Sequence, residues 1–168
     1  MFILKGEIMS RIFLKNNESF PVGATAEVFG SSGLETVRLS NNDAQNITID
    51  SYVDRIEFTQ ASSDYQFKLS GNIMSIYNDG NILVDLILND TKQSLVFTDG
   101  LANIAITALN SATLGNVALS NQLQTLTDLI LDTSDRILPT FILSNEAPDS
   151  EFNDTFIGVN ALIDENII

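Results

Sequence analysis

Carboxylates are the groups on which any catalysis by this chain would rest, because its 168 residues include neither histidine nor cysteine. A glycosidase needs only two such acids, held several ångströms apart across a cleft. Glu35, Glu57, Asp64, Asp79, Asp85 and Asp99 lie in or beside stretches that read as strands. Asp79 and Asp99 each precede a glycine, where aspartate serves a tight turn by accepting backbone hydrogen bonds. The remaining acids suit a solvated face, so the expectation is a protein that is not an enzyme.

Oxygen-rich clusters suit a hard cation. Asp149, Glu151, Asn153 and Asp154 form the densest one and are the candidate ligands for calcium, the only cofactor expected; Asp132 and Asp135 form a weaker set. Both sets also read as exposed linker charge. Tyr52, Tyr65 and Tyr77 would give a stacking platform for a cell-surface glycan, against the plainer reading that tyrosines pack at a sheet edge with their hydroxyls in water. The chain has no tryptophan to strengthen such a platform.

Acidic residues outnumber basic ones 22 to 8, for a formal charge of −14. A nucleic-acid backbone is repelled by that balance. No glycine-rich phosphate loop is present. Without cysteine there are no disulfides and no thiolate metal sites. Nowhere do about 18 apolar residues run unbroken, so no membrane span is expected. The apolar burst at residues 2–4 is too short for a signal-peptide core, and export, if it occurs, is expected without a cleaved N-terminal signal.

Those candidate residues have to be positioned by strands. From residue 28 to residue 117 short apolar–polar alternations recur, each closed by Gly, Asp or Asn, and period two marks strands with one buried face. The pattern predicts an all-β fold, an antiparallel sandwich or roll, with Phe29, Val37, Ile56, Phe58, Tyr65, Phe67, Leu69, Ile76, Leu83, Leu86, Leu95 and Phe97 in the core. A hairpin is expected around Asp79-Gly80 and a second around Asp99-Gly100. Three segments follow: an N-terminal arm or edge strand (1–23), a β domain (24–119) and a C-terminal segment (120–168) with linker composition and an interaction strand. Leu119, Leu123, Leu126 and Ile130 fall at helical spacing, with Ser120 as a cap. They predict a short helix near 120–131, although Thr125 and Thr127 around Leu126 would also suit another strand.

The β region resembles a module of secreted haemolysin-type calcium-binding and S-layer-like bacterial cell-surface proteins. The resemblance rests on Val28, Phe29, Gly30, Gly33, Glu35, Thr36 and Val37; on Asp54, Arg55 and Ile56; on Asp64, Tyr65 and Phe67; on Gly71 and Asn72; and on Leu95, Phe97, Asp99 and Gly100. It covers roughly residues 26 to 119. It implies type I secretion and an extracellular or cell-surface location. The glycine-rich nonapeptides of calcium-binding rolls are absent, apart from one degenerate echo at residues 153–158.

Together these features lead us to expect an extracellular structural protein, a self-assembling subunit of a surface layer, sheath or filament whose partners are copies of itself. Apolar segments at residues 2–14 and 152–168 are suited to strand-edge contacts between copies. The alternative is a monomeric adhesin or carbohydrate-binding module.

Overall fold

The computed structural model describes residues 9–40, 45–89 and 92–133. The described residues are all-β, and their alternating patterns fold into two sheets packed face to face. Six short strands come first: β1 (Ser10–Phe13), β2 (Ser19–Val22), β3 (Ala26–Phe29), β4 (Thr36–Leu39), β5 (Ile47–Ile49) and β6 (Arg55–Glu57). They alternate between the sheets, so that each pair of strands makes one coil of a roll. Within each sheet these strands are parallel, β1 beside β3 beside β5, and β2 beside β4 beside β6.

Seven strands follow: β7 (Tyr65–Ser70), β8 (Ile73–Asn78) and β9 (Asn81–Ile87) in the first sheet, then β10 (Ser94–Phe97), β11 (Gly100–Ala108), β12 (Ser111–Leu114) and β13 (Val117–Ala118) in the second. β9 and β10 complete a fourth coil, parallel to β5 and β6 respectively. Beyond that coil every pairing is antiparallel. The resulting orders are β1-β3-β5-β9-β8-β7 and β13-β12-β11-β10-β6-β4-β2. Only the later half therefore has the antiparallel pairing expected from the sequence. Period two fixes which face a side chain occupies but not the direction of the neighbouring strand.

The core lies between the sheets. Phe58, Tyr65, Phe67 and Phe97 meet at its centre, with Phe58 edge-on to Tyr65 at 4.9 Å and stacked on Phe97 at 5.1 Å. Of the expected core residues, Phe29 is the exception: its neighbour Val28 points inward, and Phe29 stacks on Phe13 at 5.0 Å on the outer face. Burial raises the Tyr65 hydroxyl from 10.0 to about 12, against the lowering effect of hydrogen bonds with Gln60 and Thr59.

The helix expected near 120–131 does not form. This stretch runs extended along the free edge of β7, where Leu69 N donates to Ser120 O at 2.7 Å and Phe67 and Gln124 exchange both backbone hydrogen bonds at 2.8 and 3.0 Å. It then crosses to the second sheet, where Leu101 and Asp132 exchange a further pair at 2.8 Å. Leu119 and Leu126 reach the core while Leu123 and Ile130 remain exposed, so the apparent helical stripe splits between two environments. A short isolated helix is marginal in water. The bare edge of β7 offers backbone partners that a helix would leave unsatisfied. Residues 9–14 of the expected N-terminal glue lie in or beside β1, the edge strand of the first sheet; residues 152–168 lie outside the described residues.

Candidate functional site

All turns leading from β1 to β2, β3 to β4, β5 to β6 and β9 to β10 gather at one end of the roll. The strand registers place Glu18, Glu35, Asp54 and Gln93 in one column there, each immediately before its second-sheet strand. Each polar side chain in the column holds backbone. Glu18 accepts from Lys15 N at 2.7 Å. Asp54 accepts from Glu35 N in the preceding coil at 3.0 Å. Gln93, buried, donates Nε2 to Val53 O at 3.1 Å and to Asp50 O at 3.3 Å. Asp50 in turn receives Gly30 N at 2.9 Å and Tyr52 N at 3.1 Å through one oxygen.

Glu35 is the centre of this column and is wholly inaccessible to solvent. Its carboxylate receives Ser31 Oγ at 2.7 Å, Gly33 N at 3.1 Å, and Ser31 N and Asn17 N at 3.2 Å. Burial alone would raise its pKa, but the bonds from Ser31, Asn17 and Gly33 outweigh burial and hold it below the ordinary 4.5. The two glycines of the VFGSSG turn make room for this arrangement. A Cβ on Gly30 would stand 2.4 Å from the backbone carbon of Tyr52, and one on Gly33 would stand 2.7 Å from Asn17 N. The turn motif thus works as a clamp between coils.

The other sequence candidates are scattered. Glu57 pairs with Arg55 at 2.7 Å on the outer face of the second sheet. Asp85 accepts from Ser75 Oγ at 2.6 Å on the outer face of the first sheet. Asp99 receives Ser62 N and Oγ at 2.9 and 2.8 Å. Asp64 accepts from Ala61 N at 3.2 Å, and Asp79 sits at the tip of the β8–β9 turn with φ of 48°. The structure does not bring these acids together across one cleft. Among the described residues no three acids converge as a metal site; Asp149, Glu151, Asn153 and Asp154, with Asp135, lie outside them. Tyr65 is in the core, Tyr52 is exposed at the turn end and Tyr77 lies on the first sheet, so the three tyrosines form no common platform.

Free strand edges are the other feature of chemical consequence. Among the described residues the first coil is the outermost member of both sheets at once, because β1 and β2 are edge strands. Leu14 N donates to Phe29 O at 2.9 Å. By alternation Ile12 also faces β3, and the amides of Arg11 and Phe13 point outward. On β2 the outward positions are Ser19 and Pro21, and Pro21, in the middle of that edge, has no amide to offer. β1 therefore presents the pairing edge, and Phe13, 71 % exposed, continues it with an open aromatic face. At the opposite end of the first sheet β7 is already covered by residues 119–124.

Among the described residues no helix is long and apolar enough to cross a membrane. Comparison with protein-family models, with curated proteins and with solved structures found no match to this chain.

Proposed function

We propose that the protein is an extracellular structural module that associates with copies of itself through the edge of β1, as a subunit of a surface layer, sheath or filament. The observation that carries this reading is the asymmetry of the first sheet, which among the described residues is open along β1 and closed along β7. Because the second edge is covered, head-to-tail addition finds no receptor strand there. Antiparallel pairing of β1 with β1 of a second copy, about a two-fold axis, satisfies both sets of outward amides. The polar side chains of the turn column are spent on holding backbone, which suits a scaffold that bears mechanical force. Secretion enters through the resemblance to haemolysin-type and S-layer-like proteins, and calcium dependence through that resemblance and the Asp149, Glu151, Asn153 and Asp154 cluster.

Replacing Arg11 with proline removes an outward amide while leaving the β3-facing bonds in place, at the cost of one exposed ion pair with Glu27 worth about 0–1 kcal/mol. In sedimentation velocity of the full chain, Arg11→Pro is expected to abolish pairing through β1 while keeping the wild-type thermal transition. An unaltered assembly in that variant would overturn the reading.

A further inference from the structure

The chain contains two Asp-Gly steps, Asp79-Gly80 and Asp99-Gly100, and no Asn-Gly. A glycine after an acid has no side chain to shield its backbone nitrogen. That nitrogen can attack the preceding side-chain carboxyl and close a succinimide ring. Both steps have the same covalent chemistry, and the fold places them in opposite surroundings.

Asp79 and Gly80 are the two exposed central residues of the β8–β9 hairpin, with φ of 48° and 79°. Among the described residues nothing donates a hydrogen bond to the Asp79 carboxylate, and the Gly80 amide donates to nothing. Around the Cβ position of Gly80 no atom lies within 4 Å. Ring closure here has to disturb only the last pair of the hairpin, Asn78 with Asn81, and a long bond of 3.4 Å from Asn81 Nδ2 to Asp79 O. Asp99 is held instead: Ser62 N donates to one carboxylate oxygen at 2.9 Å and Ser62 Oγ to the other at 2.8 Å. Gly100 is buried, and its Cβ position stands 2.7 Å from Leu131 Cβ and 2.9 Å from Asp132 O. Turning that peptide would break open the start of β11, where Leu101 and Asp132 exchange both backbone bonds.

We propose that Asp79-Gly80 is a site of spontaneous backbone modification, at which Asp79 becomes isoaspartate through a succinimide, and that the Ser62 clamp protects Asp99-Gly100 from the same reaction. In the first step Gly80 N bonds to Asp79 Cγ and gives up its proton, and a carboxyl oxygen leaves as water. In the second step water adds back to the ring. Cleavage between Cγ and Gly80 N restores aspartate, whereas cleavage between the Asp79 carbonyl carbon and Gly80 N leaves the main chain running through Cβ and Cγ. Mass is unchanged and water is the only co-reactant. The backbone gains one methylene, which a two-residue turn cannot absorb while keeping its register. Asn78, next to the ring, is buried and donates to Gln60 Oε1 at 3.0 Å and Asp64 O at 3.2 Å, so the change reaches from the hairpin tip to the turn before β7. Nothing in this chemistry depends on the strand-edge contact.

The test is prolonged incubation of the folded full chain in near-neutral buffer, followed by proteolysis, peptide mapping and methyl labelling of each peptide with an isoaspartyl methyltransferase. Isoaspartate is expected to accumulate at residue 79 about a hundredfold faster than at residue 99, because each of the two hydrogen bonds that must open at Asp99 costs about a factor of ten. In denaturant the two steps are expected to react at similar rates. Ser62→Ala removes one of the two bonds and is expected to speed the reaction at Asp99 about tenfold with no change at Asp79. Asp79→Asn keeps a residue that tolerates positive φ and is expected to hydrolyse through the same ring in the folded chain, with the mass gain of an amide converted to an acid. Isoaspartate forming no faster at 79 than at 99 in the folded chain overturns the proposal, as does an Asp79→Asn variant that reacts only in denaturant. A faster reaction at 79 with no response of Asp99 to Ser62→Ala supports the site and overturns the clamp.

Discussion

The two halves of this molecule solve the same packing problem by different means. In the parallel half, from β1 to β6, the chain crosses between sheets at every turn, and each coil is fixed to the next by side chains: Glu35 on the first and second coils, Asp54 on the second, Gln93 on the third. In the antiparallel half, strands return within their own sheet through short turns such as Asp79-Gly80, where the backbone itself sets the register. A parallel coil has no such local device, so polar side chains buried in its turns supply it. The parallel half should therefore be sensitive to its turn residues and the antiparallel half tolerant of them.

Paired glycine substitutions give the largest expected contrast. Gly30→Ala forces a Cβ against the Tyr52 backbone and is expected to cost about 3 kcal/mol, at the upper end of overpacking effects. Gly80→Ala meets nothing within 4 Å, and its φ of +79° alone is at issue, for about 1 kcal/mol. Denaturant titration of both variants checks the difference. Equal losses would show that the turns of the two halves are not distinguished in this way.

Glu35→Gln ranks next. The substitution places an amide NH₂ where the carboxylate now faces four donors, and a loss of about 2 kcal/mol is expected from unmade bonds to a buried group. Because the folded pKa of Glu35 lies below 4.5, its stabilising contribution is present above that value and is lost as pH falls through the lower, folded one. The melting temperature of the wild type should fall in acid over that window, and the decline should be shallower in Glu35→Gln. Tyr65 acts at the other extreme. Its folded pKa of about 12 against 10.0 favours the neutral hydroxyl, so the contribution is complete below pH 10 and disappears as pH rises towards 12. Alkaline melts of wild type and Tyr65→Phe should converge across that window.

Much of the fold is legible in the alternation. The two-sheet core is visible through residues such as Ile56, Phe67 and Leu95, and the hairpin through Asp79-Gly80. Phe29 is misplaced by the pattern because Val28 and Phe29 are both apolar, and two adjacent apolar residues do not declare which faces inward. The turn column is harder to see. Glu18-Ser19-Phe20, Glu35-Thr36-Val37, Asp54-Arg55-Ile56 and Gln93-Ser94-Leu95 occupy equivalent places in successive coils, but the β7–β8 hairpin separates the third from the fourth and hides the repeat. Glu35 reads as a surface acid because carboxylates seldom bury, and the glycines and serine that make its burial tolerable sit in its own turn. Leu119, Leu123, Leu126 and Ile130 show the opposite error, a local period overridden by the pairing needs of β7.

The smallest expected effect concerns salt. With the proposed contact strand free of acidic residues and the rest of the chain strongly negative, raising ionic strength from about 0.01 to 0.15 M shortens the Debye length from about 30 to 8 Å and should modestly strengthen association. Contacts built on ion pairs would weaken instead, and light scattering at the two salt concentrations separates the outcomes.

Sedimentation velocity of the unmodified full chain over a wide concentration range at physiological salt tests self-association most directly. The sedimentation coefficient is expected to rise with concentration as copies of the 18.4 kDa chain join. A single species at the monomer mass, unchanged across the whole range, would contradict it.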